Sequence, residues 1–120
     1  YETLTYNPGV RAGDMLYMSG FAALDMESQR ALHAGDLRRQ AETVYEAIHQ
    51  TMAAAGPSQL LSTTEYVTPE ALPAYREVAD VRRQVLRAPY PVSAGLVCGG
   101  LLRPEFLLEV LPVAIVTGES

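Results

Sequence analysis

The stretch of sequence that decides the fold is residues 106–116, FLLEVLPVAIV. Apolar side chains occupy both its odd and its even positions, and one ionisable residue, Glu109, interrupts them. Because successive side chains of a β-strand point to opposite faces of a sheet, this pattern predicts a strand covered on both sides. Residues 92–102 show the same pattern and predict another such strand, joined to the first by a turn at residues 103–105.

Two helices are predicted upstream of these strands. The first runs over Leu37–Ala55, with Asp36 as a suitable N-cap. Gly56 followed by Pro57 ends it. The second helix is predicted over residues 73–86, because proline is favourable in a first turn. The apolar residues of the first helix recur at steps of three and four and form one stripe: Leu37, Ala41, Val44, Ile48, Met52 and Ala55.

The remaining extended segments are short. Met15–Met18 is predicted to form a strand that ends at Ser19-Gly20, and Asn7-Pro8-Gly9 predicts a turn. Extended structure is also predicted at residues 3–6, 21–23 and 60–67, and a polar loop at residues 25–34. The order β-β-α-β-α-β-β predicts one α+β domain over residues 1–120, with both helices on one face of the sheet.

The second face of the sheet predicts an assembly. Two helices cover only one face, and the other face is equally apolar. Left bare, it would exceed the apolar patch of roughly a few hundred Å² that monomers expose. We therefore expect another copy of the chain to cover it.

Composition argues against several classes of function. The net charge is −5 and all nine basic residues are arginines, so the chain lacks the basic surface that nucleic-acid binding requires. Without lysine, a Schiff base or a pyridoxal phosphate anchor is excluded. One cysteine and two histidines are too few for the usual transition-metal sites, and we expect no metal and no cofactor.

The sequence also predicts a location. It contains no run of about 20 apolar residues of the kind that spans a bilayer. Residues 1–8 do not resemble a secretory leader. We expect a cytoplasmic protein that does not contact a membrane and whose partners are its own copies and a small-molecule metabolite.

Glu109 is the first candidate for chemistry. A carboxylate removed from water in so apolar a strand has a raised pKa, which suits a general acid or base near neutral pH. The alternative is that Glu109 lies at a strand end, or binds backbone amides, and only orders the sheet.

Three further residues are candidates for ligand binding. Ser19-Gly20 ends a strand, where a hydroxyl and a bare amide can meet a ligand, although Gly20 alternatively supplies a turn or bulge. Tyr6 either reaches the edge of a site or packs beside the turn that follows it.

The remaining chemically active side chains are interpreted more plainly. Arg103, in the turn near Glu109, is a weak candidate for gripping an anionic ligand. Cys98 is interpreted as a small buried hydrophobic residue rather than a nucleophile. The Arg82-Arg83 pair is interpreted as a helix surface rather than an anion site.

Several segments together resemble the Rid/YjgF family of reactive-intermediate deaminases. GDMLYMSG at residues 13–20 is similar to the opening motif of that family, and TTEYV at residues 63–67 to one of its strands. The AAAG helix end at residues 53–56, Tyr75 in the second helix, Tyr90-Pro91 before the long strand, and LEV at residues 108–110 follow in matching order. The resemblance covers nearly the whole chain.

The resemblance implies a chorismate-mutase-like α+β fold with a mixed sheet, assembled as a trimeric barrel with the helices outside. It also implies a cleft between subunits, where a carboxylate-bearing enamine or imine is hydrolysed to a keto acid and ammonia. By position, Glu109 would handle the attacking water, Tyr6 would line the cleft, and Ser19-Gly20 would shape it. The family's last strand often carries two glutamates; Leu111 stands at one of these positions here, so Glu109 matches either the catalytic or the structural one.

Two departures from the family pattern bear on the substrate. Family deaminases have an arginine two residues after the proline of the long strand, where it binds the substrate carboxylate; this chain has Ser93 there. Serine cannot replace the two-pronged arginine contact. Phe21 stands where many members have glutamine, which makes the cleft more apolar. The sequence leaves open whether Arg11, Arg87 or Arg103 takes the place of the missing arginine.

Three functions remain in view. The first is a Rid-like hydrolase acting on a small imine, enamine or enol-type intermediate of a specialised pathway, with Glu109 as general acid or base and Ser93 among the binding residues. The second is a non-catalytic relative that binds a small metabolite. The third, a ribonuclease, conflicts with the acidic composition.

Overall fold

The computed structural model describes residues 6–118, so most of the extended segment predicted at residues 3–6 lies outside the described residues. These described residues form eight strands and two α-helices: β1 (Gly9–Ala12), β2 (Met15–Met18), β3 (Phe21–Ala22), β4 (Leu24–Asp25), β5 (Arg30–Ala31), α1 (Leu37–Ala55), β6 (Ser58–Val67), α2 (Arg76–Val85), β7 (Val92–Val97) and β8 (Leu108–Val116).

Six strands form one mixed sheet in the order β1-β2-β8-β6-β7, with β3 also paired to β8. The β6–β7 pair is parallel and the other pairs are antiparallel. β8 therefore lies in the middle of the sheet, between β6 on one side and β2 with β3 on the other. β4 and β5 form a separate small hairpin within the predicted polar loop. The predicted α+β fold class is confirmed.

The first helix begins and ends where the sequence predicts. The Asp36 side chain accepts a hydrogen bond from the Arg39 N–H at 3.1 Å, which satisfies one of the free donors of the first turn. Gly56 ends the helix with φ 116°, a backbone angle that favours glycine. The helix buries one side against the sheet: Leu37, Gln40, Ala41, Val44, Tyr45 and Ile48.

Other predicted bounds were wrong. β7 ends at Val97 rather than at residue 102, because Gly99 and Gly100 follow it and leave no side chains to pack. The second helix begins at Arg76, after a 3₁₀ turn over Leu72–Ala74. The strand Gly9–Ala12 was not predicted, since Gly9 was assigned to the preceding turn.

The two long apolar strands do not lie side by side. β6 separates β7 from β8, and pairs with both. The segment between them, residues 98–107, is held to α1 by the fully buried Gln40. Its side-chain nitrogen donates to the Glu105 carbonyl at 2.8 Å, and its side-chain oxygen accepts from the Leu107 N–H at 2.8 Å.

One face of the sheet packs against the helices, and the other, here called the open face, is uncovered in the single chain. The even-numbered residues of β8, from Leu108 to Val116, are buried on the helix side. The open face exposes large apolar side chains with 41–73% of their surface accessible: Val10, Tyr17, Val92, Leu96 and Leu111. The predicted apolar character of this second face is thus present in the structure.

Within residues 6–118, neither helix is long and apolar enough to cross a membrane.

Candidate active site

Glu109 lies on the open face of the central strand β8. Its register partners are Ala22 of β3 and Tyr66 of β6. The residue is half-buried, and this partial loss of water raises the pKa of the Glu109 carboxyl above its ordinary value. Glu109 is the second residue of β8, so the predicted alternative of a placement near a strand end agrees with the structure, and strands on both sides pair with it there.

Gly20 lies directly against the Glu109 carboxylate. A Cβ atom built on Gly20 would stand 2.6 Å from Glu109 Oε2, closer than real side chains approach. Gly20 joins β2 to β3, so the chain turns past the carboxylate at a point where only hydrogen occupies the side-chain position. The Glu109 carboxylate can occupy this position because Gly20 has no side chain.

A cavity of about 140 Å³ opens beside this pair and is called the Glu109 cavity. It contains five of the seven residues predicted for the site: Tyr6, Ser19, Gly20, Phe21 and Glu109. Its remaining walls are mostly apolar and come from β3, from β4 and the residue after it, from α1 and from the segment before β8: Ala22, Leu24, Met26, Thr43, Ala47, Leu102 and Phe106.

Ser19 fixes the loop that carries Tyr6 into this cavity. The Ser19 hydroxyl donates to the Asn7 carbonyl at 2.5 Å. Its backbone N–H donates to the Pro8 carbonyl at 2.9 Å. The hydroxyl proton of Ser19 is therefore used within the protein, so the contribution of Ser19 in this arrangement is to position the loop.

The other two predicted site residues lie elsewhere in the protomer. Arg103 donates from Nη1 to the Gln29 carbonyl at 2.6 Å and ties two loops together. Ser93 lies on β7, where its hydroxyl oxygen accepts hydrogen bonds from Thr63 Oγ1 at 3.2 Å and from Arg82 Nη1 at 3.0 Å. Neither residue lines the Glu109 cavity.

The structure reveals a buried polar cluster that the sequence analysis missed. Glu65 of β6 is completely buried beneath the helices. The Tyr45 hydroxyl donates to Glu65 Oε2 at 2.5 Å, and the Tyr75 hydroxyl donates to Oε1 at 2.6 Å. Arg82 Nε lies 3.5 Å from Glu65 Oε2. The signal was present in the sequence, since Glu65 alternates with Thr63 and Val67 on the buried side of its strand.

Both phenols of this cluster are harder to ionise than free tyrosine. Desolvation, followed by the charge of Glu65 and the hydrogen bond to it, raises the pKa of Tyr45. Desolvation, followed by the hydrogen bond to Glu65 and its charge, raises the pKa of Tyr75 to about 12. Both hydroxyls therefore remain donors over the physiological pH range.

Within residues 6–118, no group of three or more histidine, cysteine, aspartate or glutamate side chains is arranged to hold a metal ion.

The fold and the candidate site together define a class of protein: a single α+β domain with an apolar open face and a half-buried carboxylate beside a small cavity.

The family is identified from the sequence as a whole. Residues 2–116 match the family described as Endoribonuclease L-PSP, to which the Rid/YjgF proteins belong. Because this match covers nearly the entire chain, the protein belongs to that family.

Known relatives agree with this assignment. The chain is 29% identical over 109 residues to the 3-aminoacrylate deaminase RutC of Acinetobacter baylyi, covering 91% of this chain and 85% of the relative. The crystal structure of RidA from an Antarctic Psychrobacter species is 25% identical, with a TM-score of 0.83 over 93% of this chain and 89% of that one. E. coli TdcF with bound serine is 22% identical, with a TM-score of 0.81 over 93% and 88% of the two chains, and shows the shared fold.

Proposed function

We propose that this protein hydrolyses a small imine, enamine or enol-type intermediate, with Glu109 as the general acid and base. The observation that carries the proposal is the half-buried Glu109 carboxyl at the wall of the Glu109 cavity, with its pKa raised by desolvation. A carboxyl group in this state exchanges protons with water and substrate more readily near neutral pH than an exposed one does. The name of the related RutC, a 3-aminoacrylate deaminase, supports the same class of reaction.

The chemistry needs one proton-transfer group. A water oxygen adds to the imine carbon while one proton of that water passes to the Glu109 carboxylate. Glu109 then returns this proton to the nitrogen. Glu109 then takes the remaining hydroxyl proton of the resulting carbinolamine and passes it to the same nitrogen. The carbonyl group forms as the carbon–nitrogen bond breaks, and ammonia leaves. Imine and water are thus converted to ketone and ammonia without an external oxidant or a metal.

The apolar walls restrict which molecules enter. Phe21 and Phe106 are buried, and Leu102 is exposed at the edge of the cavity. Such walls favour a substrate with an apolar side chain over a strongly hydrated one. This selectivity fits a specialised reaction better than general removal of 2-aminoacrylate.

The proposed working form is a homotrimer whose sheets face inward as a barrel. The open face supports this arrangement, since its exposed apolar side chains are what a second copy would bury. In this assembly the active site is a cleft between adjacent subunits. Sedimentation velocity at micromolar concentration tests the assembly: three chains per particle is expected, and a stable monomer would contradict it.

The test of the reaction is release of ammonia from freshly generated 2-iminobutyrate and 2-aminoacrylate. We expect Glu109→Gln to abolish turnover while the circular dichroism spectrum and the particle mass stay unchanged, because the amide cannot accept the proton of water. The control is Glu70→Gln, which removes an exposed carboxylate in the loop after β6 and should retain full activity. Undiminished turnover by Glu109→Gln would show that the assigned base is wrong.

A second function is favoured by one observation: Ser93 stands where deaminases of the family have a substrate-binding arginine. A protein that binds a small metabolite without converting it would show saturable binding and release no product at any pH. The ammonia assay and an equilibrium binding measurement on the same preparation separate the two functions.

A further inference from the structure

Arg82 is the cation that the fold brings to Ser93. It lies near the end of α2, with 24% of its side chain exposed. Its Nη1 donates to Ser93 Oγ at 3.0 Å, across the gap between helix and strand. The sequence predicts one helix surface for Arg82 and Arg83, but the structure separates them: Arg83 is 69% exposed and pairs with Asp80 at 2.9 Å.

The Glu65 cluster fixes the inner side of the Arg82 guanidinium. Glu65 Oε2 lies 3.5 Å from Nε, and two tyrosine hydroxyls hold the same carboxylate. The Arg82 Nε atom is itself buried and has no hydrogen-bond partner within residues 6–118. Glu65 and Ser93 therefore hold the Arg82 guanidinium through Nε and Nη1. Neither of these contacts uses Nη2, which is left to bind a ligand. A guanidinium fixed in this way loses little side-chain entropy when it binds a ligand.

A cavity of about 220 Å³, here called the Arg82 cavity, has Arg82 as one of its lining residues. Its walls are Ala79, Arg82, Arg83, Leu86, Tyr90 and Pro91. The mixture of an apolar wall, one aromatic ring and arginine is typical of a site for a small organic anion. Its volume suits a molecule of only a few carbon atoms.

The three arginines that the sequence left open are placed differently. Arg11 pairs with Asp14 at 3.5 Å and donates to the Gly13 carbonyl. Arg103 is bound to the Gln29 carbonyl. Arg87 is exposed and lines a separate groove between α1 and the segment after α2. Arg82 alone among the arginines contacts Ser93 within residues 6–118.

We propose that Arg82 binds the carboxylate group of the substrate, reaching from α2 to the place on β7 where Ser93 stands, and that Glu65 positions Arg82. This inference rests on the proposed function for its ligand, a small 2-imino or 2-oxo acid. The arginine that binds the acid would thus lie on helix α2 in this protein, whereas in the family deaminases it lies on the strand that corresponds to β7. Arg82 is a binding residue, whereas Glu65 acts only through it.

The test compares two probes that differ in one charge: 2-oxobutanoate and its neutral methyl ester. Binding of each is measured by ligand-observed NMR or calorimetry. We expect the wild-type protein to prefer the acid by about tenfold or more, the scale of one well-placed charged contact. We expect Arg82→Gln to bind both probes equally.

Arg39→Gln is the control, since it removes an arginine that is 66% exposed on α1 and lines neither the Arg82 cavity nor the Glu109 cavity, so it should keep the preference for the acid. Loss of the preference in Arg39→Gln but not in Arg82→Gln would overturn the proposal. An equal affinity of the wild-type protein for acid and ester would also overturn it.

A second variant guards against misfolding. Arg82→Gln leaves the buried Glu65 without its cation, which destabilises proteins strongly. Glu65→Gln/Arg82→Gln removes both charges and should fold, but should still bind acid and ester equally. If this double variant keeps the preference for the acid, Arg82 is not the binding group.

The outcome also separates this proposal from the function on which it rests. If wild-type protein binds the acid through Arg82 and releases no ammonia, the hydrolase proposal fails and the carboxylate site stands. If Arg82→Gln turns over 2-iminobutyrate with unchanged KM, the carboxylate site fails and the hydrolase stands. Glu65→Asp adds a test of positioning: a shorter side chain that keeps the charge should raise KM with little change in kcat.

Discussion

At the scale of single residues, the contact between Gly20 and Glu109 ties backbone geometry to chemistry. Gly20 has no positive φ that would call for glycine, so the close approach of the carboxylate explains the residue. The atom that a new Cβ would meet is the far end of a side chain, which is able to move. A substitution there therefore acts on the position of Glu109 more than on the stability of the fold.

We predict that Gly20→Ala folds but loses activity. A displacement of the carboxylate by about 1 Å is expected to lower kcat/KM on the order of a hundredfold. The matched control is Gly99→Ala, because a Cβ at Gly99 would meet nothing within 4 Å. The measurement is ammonia release alongside thermal unfolding. Normal kcat/KM in Gly20→Ala would show that the Glu109 position is not critical.

At the scale of elements, the Glu65 cluster joins α1, α2 and β6 through one carboxylate. Tyr45 lies on α1, Tyr75 is the N-cap of α2, and Arg82 lies near the end of α2. Gly95 of β7 leaves the space that the Tyr75 hydroxyl occupies. This cluster places α2, and through α2 the Arg82 cavity, at a fixed position on the sheet.

We predict that Tyr45→Phe destabilises the fold by about 1–3 kcal/mol, because it leaves a buried carboxylate oxygen without that donor. The free energy of unfolding in denaturant measures this effect. Tyr90→Phe is the control, since Tyr90 is 59% exposed and does not lie on the open face, and it should change stability little. An equal loss in both variants would contradict the structural role of the cluster.

The same tyrosines predict a loss of stability at alkaline pH. In the folded chain the pKa of Tyr75 is about 12, and the pKa of Tyr45 is also raised, whereas unfolded tyrosine has a pKa of about 10. Between these pH values only the unfolded chain releases the protons. The free energy of unfolding is therefore unaffected by these groups below about pH 10 and falls as the pH rises above it. Denaturant titrations at increasing pH should show this fall, and Tyr75→Phe should make it shallower.

The sequence predicted elements better than their arrangement. α1 was predicted to the residue, since an aspartate cap, an apolar stripe and Gly56-Pro57 agree locally. The position of β6 between β7 and β8 was not predictable. The alternation of apolar residues along a strand indicates which faces of the sheet are covered, but it does not indicate which strands are neighbours. The Arg82–Ser93 contact was missed for the same reason: it depends on how α2 packs beside β7.

At the scale of the whole molecule, the Glu109 cavity and the Arg82 cavity share no residue within one chain. We expect that, if both act on one substrate, adjacent protomers of the proposed trimer contribute one cavity each. This gives the proposed trimer a chemical purpose in addition to burial of the open face.

Mixed trimers test this consequence. Glu109→Gln subunits are expected to be inactive alone, and Arg82→Gln subunits to turn over slowly at substrate concentrations well below the raised KM. Co-expressed in equal amounts and assayed at such low substrate, they should regain about a quarter of wild-type activity, because one site in four then draws both intact residues from neighbours in a closed ring. Ammonia release by the co-purified mixture is the measurement, and homotrimers mixed after purification are the control. No recovery in the co-expressed sample would place both residues in the same subunit's site.

β7 pairs with β6 alone among residues 6–118, so its far edge carries backbone groups with no neighbouring strand. An unpaired edge strand of this kind can form backbone hydrogen bonds with a strand of another chain. A newly synthesised protomer therefore either joins a closed oligomer, in which this edge is covered, or adds to other chains edge to edge and aggregates. The rate of synthesis and the local concentration of other copies of the chain would then decide what fraction of the protein reaches the closed assembly.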